Sequence, residues 1–187
     1  MSGVAKTTYS IAASTFHWAV AIPMIGSIGS VLKCQSLPKG HPDKGKWMYR
    51  HKSLGLLSGM IVAPRVAYRV MARLSAYRVQ PLVGSAEWEH KAGSAGHALL
   101  YAFMTVMPAT GIAMGYYGGK GLPFFYTTIG GASTPNGGIA KQAFQIHKQV
   151  GTYGKYLVPI HAGAAVQHYF RGQAIFRRIN PFRASRG

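Results

Sequence analysis

IHKQVGTYGKYLVPIHAG, residues 146–163, is the stretch whose reading decides the fold. Its two histidines, His147 and His161, stand 14 residues apart. At about 3.6 residues per turn this is close to four turns, so a helix carries both imidazoles on nearly one face, about 21 Å apart along its axis. A hydrocarbon core of roughly 30 Å holds two such levels. Gly154 lies seven residues from each histidine and shares their face. It either leaves room between the levels or serves ordinary small-residue helix packing; Gly151, Gly163 and Ala164 thin the same helix.

The surrounding chain suits a membrane. It has 187 residues, is 48% hydrophobic, and carries formal charge +18, with 21 Lys and Arg against Asp43, Glu87 and Glu89. Residues 11–32 and 92–119 hold no Lys, Arg, Asp or Glu. Apolar runs of about 20 residues read as transmembrane helices. Four spans are expected, at 11–32, 50–71, 93–116 and 146–170, in a single all-α domain over 1–187. Residues 117–145 are Gly-rich and aromatic, lack helical periodicity, and are expected to pack on the membrane surface with Phe124, Phe125 and Tyr126 at the interface. The basic residues sit in the loops and form no recognition motif, which excludes nucleic acid as the partner and favours anionic lipid headgroups or acidic partner subunits. A single Cys34 excludes an internal disulfide. The N-terminal apolar run has no small-residue cleavage site and reads as a retained span. Four spans put both termini on one side. Ten Lys and Arg fall on that side and ten on the other, leaving out Arg65, so charge does not choose the orientation.

Depth sorts the histidines. His51 begins the second span and His147 the fourth, both from the side opposite the termini. His17 lies about 9 Å deep from the terminal side and His161 about 14 Å, at 1.5 Å per residue. The pairs are therefore His17 with His161 and His51 with His147. Ionisable residues inside spans are costly and mark function. Neutral imidazole is a natural axial ligand of haem iron, and two of them fill both axial positions. The expectation is a four-transmembrane-helix bundle enclosing two haems and moving electrons between them. Arg65 and Arg69 fall near the level of His17 and His161 and suit haem propionates, though Arg69 also has the reach to snorkel. His97 and His168 lie near the terminal-side ends of the third and fourth spans. Two readings stand for them: a quinone headgroup pocket, or interfacial histidines bonded to lipid or water.

A family likeness rests on the same residues. Phe16-His17-Trp18, His51-Lys52-Ser53-Leu54-Gly55, Arg65 with Arg69, Gly96-His97-Ala98-Leu99-Leu100-Tyr101, Met107-Pro108 with Gly111, and His161-Ala162-Gly163-Ala164-Ala165 with His168-Tyr169-Phe170 resemble the bacterial cytochrome b561 family. That four-span group is itself similar to the cytochrome b subunits of nickel-iron hydrogenase and formate dehydrogenase. The resemblance implies two haems of b type on the four paired histidines, ubiquinone or another quinone as membrane partner, and termini on the cytoplasmic side of a bacterial inner membrane or the matrix side of a mitochondrial one. Some members oxidise superoxide and reduce ubiquinone, a reaction that Lys39, Lys44, Lys46, Lys141 and Lys148 would assist by attracting the anion. Lys148 stands where members often carry Glu, and Gln167 replaces the first of two adjacent histidines near the end of the fourth span. With the scarcity of acids, these departures support a second reading: a haem-bearing accessory subunit of a larger, cardiolipin-rich respiratory complex rather than a quinone-linked oxidoreductase in its own right.

Overall fold

A computed structural model describes residues 8–74 and 82–182. Arg183 and Arg186 of the basic C-terminal tail lie outside them. The described chain is mostly helical: α1 (Ile11–Ser36), α2 (Lys44–Leu74), α3 (Glu87–Tyr117), α4 (Gly137–Gly154), α5 (Leu157–Phe170) and the short α6 (Ile175–Arg178), with a hairpin of β1 (Leu122–Phe124) and β2 (Thr127–Ile129) between α3 and α4. Three helices, α1, α2 and α3, are each long and apolar enough to cross a membrane.

α1, α2 and α3 lie where the first three spans are expected, with several boundaries shifted. α2 starts at Lys44 and α3 at Glu87, each six residues before the expected span. Glu89 opens α3 by accepting the Ala86 backbone N–H at 2.8 Å, satisfying one donor just ahead of the helix. Residues 137–145, expected to be irregular, are the first half of α4. Asn136 caps that helix, its side chain accepting the Ile139 N–H at 3.1 Å, so the Gly-Gly pair at 137–138 lies within a helix start and not a turn.

The fourth segment is not one helix. α4 ends at Gly154 and α5 begins at Leu157. Pro159 explains the joint: it has no N–H to offer the Lys155 carbonyl and its ring crowds that turn. Lys155 (φ −55°, ψ −26°) and Tyr156 (φ −77°, ψ −19°) stay in the right-handed region, so the chain bends and does not reverse. His147 and His161 therefore sit on two helices joined at a bend.

Helix packing relies on small residues. The buried positions of α1 include Val20, Pro23, Ser27, Ser30 and Cys34, spaced three and four apart, with Ser14 also buried near its start. Ser53 and Ser58 of α2 are buried as well. Small residues let helix backbones approach in a bilayer, where apolar area alone drives little association. Gly59 of α2 meets Pro108 of α3, since a Cβ there would lie 2.8 Å from the proline Cβ. A compact cluster of Val20, Val62, Leu100 and Met104 ties α1, α2 and α3 together. Large apolar side chains instead face outward, among them Ile22, Ile25, Met60, Leu99 and Ile160. That inversion suits lipid.

The hairpin is pinned to α2. Ser53 Oγ accepts the Phe125 N–H at 3.0 Å and faces the Pro123 carbonyl at 3.4 Å. Tyr49 donates its hydroxyl to the Phe125 carbonyl at 2.5 Å. These bonds hold Phe125 at φ 52°, a conformation that bulky residues rarely adopt. Tyr126, at the tip, is fully exposed. At the hairpin base Gly121 takes φ +71°, and a Cβ there would fall 2.5 Å from the Ile129 carbonyl oxygen.

Candidate haem centre

The four histidines paired by depth come together in those pairs. The His17 and His161 ring centroids are 6.2 Å apart, and those of His51 and His147 are 6.0 Å apart. Metal–imidazole bonds of about 2 Å, with about 1 Å more from nitrogen to ring centre on each side, put two trans imidazoles about 6 Å apart across one metal ion. Both separations fit that arrangement.

The tautomers of the second pair can be assigned from their partners. His51 Nδ1 lies 3.0 Å from the Ser27 carbonyl oxygen. A carbonyl only accepts, so Nδ1 carries the proton. Ser27 Oγ, which donates to the His51 carbonyl at 3.0 Å, lies 2.9 Å from the same ring nitrogen. His147 repeats the pattern: Nδ1 donates to the Met107 carbonyl at 3.0 Å and lies 3.0 Å from Thr110 Oγ1. In each ring Nε2 is left with its lone pair for a metal. A donated Nδ1–H also fixes ring orientation and makes the ligand more basic. α1 thus orients His51 on α2, and α3 orients His147 on α4. Gly111 adds to this on α3, for a Cβ there would touch the His147 ring at 3.5 Å.

At the His17 level the neighbours are charged. Arg65 Nη1 donates to the carbonyl of Phe16, the residue before His17, at 3.3 Å, and its guanidinium lies 5.5 Å from the Tyr101 ring centre. Arg69 is near enough to act electrostatically on His97, as Arg65 is. Arg69 Nε is buried with no hydrogen-bond partner among the described residues. An orphaned guanidinium nitrogen in such a place fits an anionic group such as a propionate.

His97 and His168 part company. The His97 ring lies 5.2 Å from His161, edge to face, too close for a metal ion between them. His168 Nδ1 instead meets Gln173 Oε1 at 2.5 Å, and Gln173 Nε2 donates to the Val83 carbonyl at 3.1 Å. Among the described residues no hydrogen bond or ring contact joins the two histidines. His97 sits at the level of His161, and His168 lies seven residues further along α5, about 10 Å at 1.5 Å per residue, so position along the helices separates the two. Gly154 likewise serves packing: a Cβ on it would lie 2.2 Å from the Phe103 ring of α3. Sequence reasoning does not find Ser27 and Thr110. Ser27 has a weak signal, a small polar residue on the seam of α1; Thr110 has none.

Glu89, ahead of the apolar part of α3, pairs with Arg171 beyond α5. The Ala86 N–H and the Arg171 guanidinium hold its carboxyl below the usual range. Glu87 pairs with Lys91 at 2.8 Å, both exposed to solvent.

Residues 8–181 match the family described as prokaryotic cytochrome b561. Cytochrome b561 homolog 1 of Escherichia coli (strain K12) is 35% identical over 83 residues, 44% of this chain and 47% of that protein. The match spans about half the length of that relative. The family match over residues 8–181, on a chain with three helices fit to cross a bilayer, shows that the chain belongs to the prokaryotic cytochrome b561 family.

Proposed function

We propose that this protein is a di-haem membrane cytochrome that passes electrons between a donor on the side opposite its termini and a quinone nearer the terminal side, or the reverse. His17 and His161 hold one haem b, and His51 and His147 hold the other. The observation that carries this reading is the double fit of metal-bridging separations, 6.2 and 6.0 Å, in pairs drawn from four different helical segments. When bound, each haem would supply one-electron chemistry between the histidines that hold it.

The remaining residues hold and tune. The Ser27 and Met107 carbonyls keep His51 and His147 in the tautomer that binds metal. Arg65 and Arg69 balance the propionate charge at the other level. His97, beside His161, donates to a quinone carbonyl; His168, occupied by Gln173, is the weaker candidate. α4 and α5 together make a fourth crossing. Two contacts support it: Tyr9 N–H bonds the Arg178 carbonyl at 3.3 Å, and Trp18 Nε1 bonds the Ile179 carbonyl at 3.0 Å. The two ends of the described chain thus meet, which needs an even number of crossings. The termini face the cytoplasm, or the matrix if the host membrane is mitochondrial. Lys39, Lys44, Lys46, Lys141 and Lys148 on the opposite side suit an anionic donor such as superoxide, or acidic subunits of a respiratory complex. The formal charge of +18 favours one alternative, a docked accessory subunit that keeps its haems.

Haem quantification on purified protein, with a reduced-minus-oxidised spectrum, tests the centre. Two haems per chain are expected; one or none overturns the pairing. Reduction of those haems by added quinol, without other subunits, then supports the oxidoreductase over the accessory subunit, and no reduction reverses that choice.

A further inference from the structure

Away from the histidines, a groove of about 810 Å³ runs between α1 and the C-terminal segment. Trp18, Ala19 and Ile22 form its floor on the outer face of α1; Phe176, Arg177 and Phe182 form its far wall. A second groove of about 210 Å³ shares part of that wall, lined by Tyr169, Phe176 and Arg177 among others. Phe176 and Arg177 belong to both. We propose that these paired grooves are a binding site for one anionic phospholipid of the bilayer, with an acyl chain in each groove and the phosphate paired with Arg177.

Three observations choose this occupant. The large groove has an apolar floor on a helix face that presents Ile22 and Ile25 outward, so it suits an acyl chain arriving sideways from the bilayer. Its charged side chain is an exposed arginine, whose planar fork matches a phosphate better than a neutral ring carbonyl. The indole N–H of Trp18, the natural donor for a quinone oxygen there, is already given to the Ile179 carbonyl. Neither of the neighbouring arginines competes for the headgroup in the same way: Arg171 is held by Glu89, and the Arg178 guanidinium lies 6.0 Å from the Tyr9 ring centre. The lipid would clamp the segment that straps the chain's end to α1. Trp18 is the next residue to His17 and meets its ring edge-on at 5.2 Å, so the clamp lies one aromatic ring from the haem centre. The site does not depend on the haem reading, for no histidine lines either groove.

Native mass spectrometry of the haem-loaded protein, released from detergent holding equimolar phosphatidylglycerol and phosphatidylcholine, tests it. Retained phosphatidylglycerol should exceed phosphatidylcholine by about fivefold, the preference that one surface arginine confers on an anionic headgroup. Arg177→Gln should bring the two lipids level. Ala19→Phe, which fills the groove and leaves the charge, should lower retention of both. Lys33→Gln removes the same charge at the far end of α1 and should leave the preference intact. Equal retention of the two lipids by the unaltered protein overturns the site. So does a loss in Lys33→Gln as large as that in Arg177→Gln, or displacement of the phospholipid by added ubiquinone. Haem content, read in the same spectra, reports separately on the centre.

Discussion

A single proton decides what each histidine can do. His51 and His147 are committed by backbone carbonyls to carry it on Nδ1, which leaves the Nε2 lone pair open to a metal. Substituting a ligand should therefore remove one haem and spare the other. His51→Ala and His17→Ala are each expected to fall from two haems per chain to one, read by pyridine haemochrome assay; unchanged content in both variants would sink the pairing. Thr110→Val removes one of two oxygens at His147 Nδ1 but keeps the Met107 carbonyl. Its haem should remain and be lost about tenfold faster to a haem scavenger, the low end of what such supporting bonds contribute. The two histidine pairs are legible in the chain because depth in a bilayer is a sequence coordinate: counting residues from the edge of an apolar run locates a side chain along the normal. Ser27, Thr110 and the neighbour of His97 are not legible. They depend on how each helix is rotated about its axis and on its register against another helix, and neither is written in the local pattern.

At the scale of elements, the bend between α4 and α5 carries the most consequence. The periodicity of residues 146–163 predicts one straight helix, and Pro159 breaks it. Pro159→Ala restores a hydrogen-bond donor and lets α4 and α5 fuse. Helical content should rise by circular dichroism and α5 should swing. The haem of His17 and His161 should be lost or loosened while that of His51 and His147 stays. Retention of both haems with higher helicity would show the bend to be dispensable. The start of α4 is hidden in the sequence for a different reason: Gly137 and Gly138 weaken a helix locally, and the Asn136 cap outweighs them. The link between the start of α3 and the end of α5 is set by Glu89 and Arg171. Because the Glu89 carboxyl is depressed in the folded chain, its contribution is full above the ordinary carboxylate pKa of 4.5 and is lost as pH falls through the lower folded value. Thermal midpoints of the parent should drop over that acid window more steeply than those of Glu89→Gln. Parallel curves would remove Glu89 as the cause.

Over the whole molecule, the long charge-free runs make the three membrane-capable helices readable from the chain itself, since few folds other than a membrane bundle bury so little of their apolar surface. Orientation is not readable, for ten basic residues on each side cancel the signal that normally sets it. That same balance has a functional side. Residues 33–52 and 120–155, which flank His51 and His147, hold ten Lys and Arg against the lone acid Asp43, so the two histidines lie beside a positive field. An anionic reductant added from that side should reduce the haems quickly at low salt. Raising ionic strength from about 10 to 150 mM shortens the screening length from roughly 30 to 8 Å. The rate for a small anion should then fall about tenfold, the lower bound for steered encounters. A neutral reductant in the same vesicles should show no such fall, because it gains nothing from the field. Lys148→Glu and Lys52→Glu, closest in sequence to the two ligands, should flatten the salt dependence without changing haem content. A salt-independent anion rate would mean that the basic collar serves attachment to lipid or to a partner, and not the arrival of an electron donor.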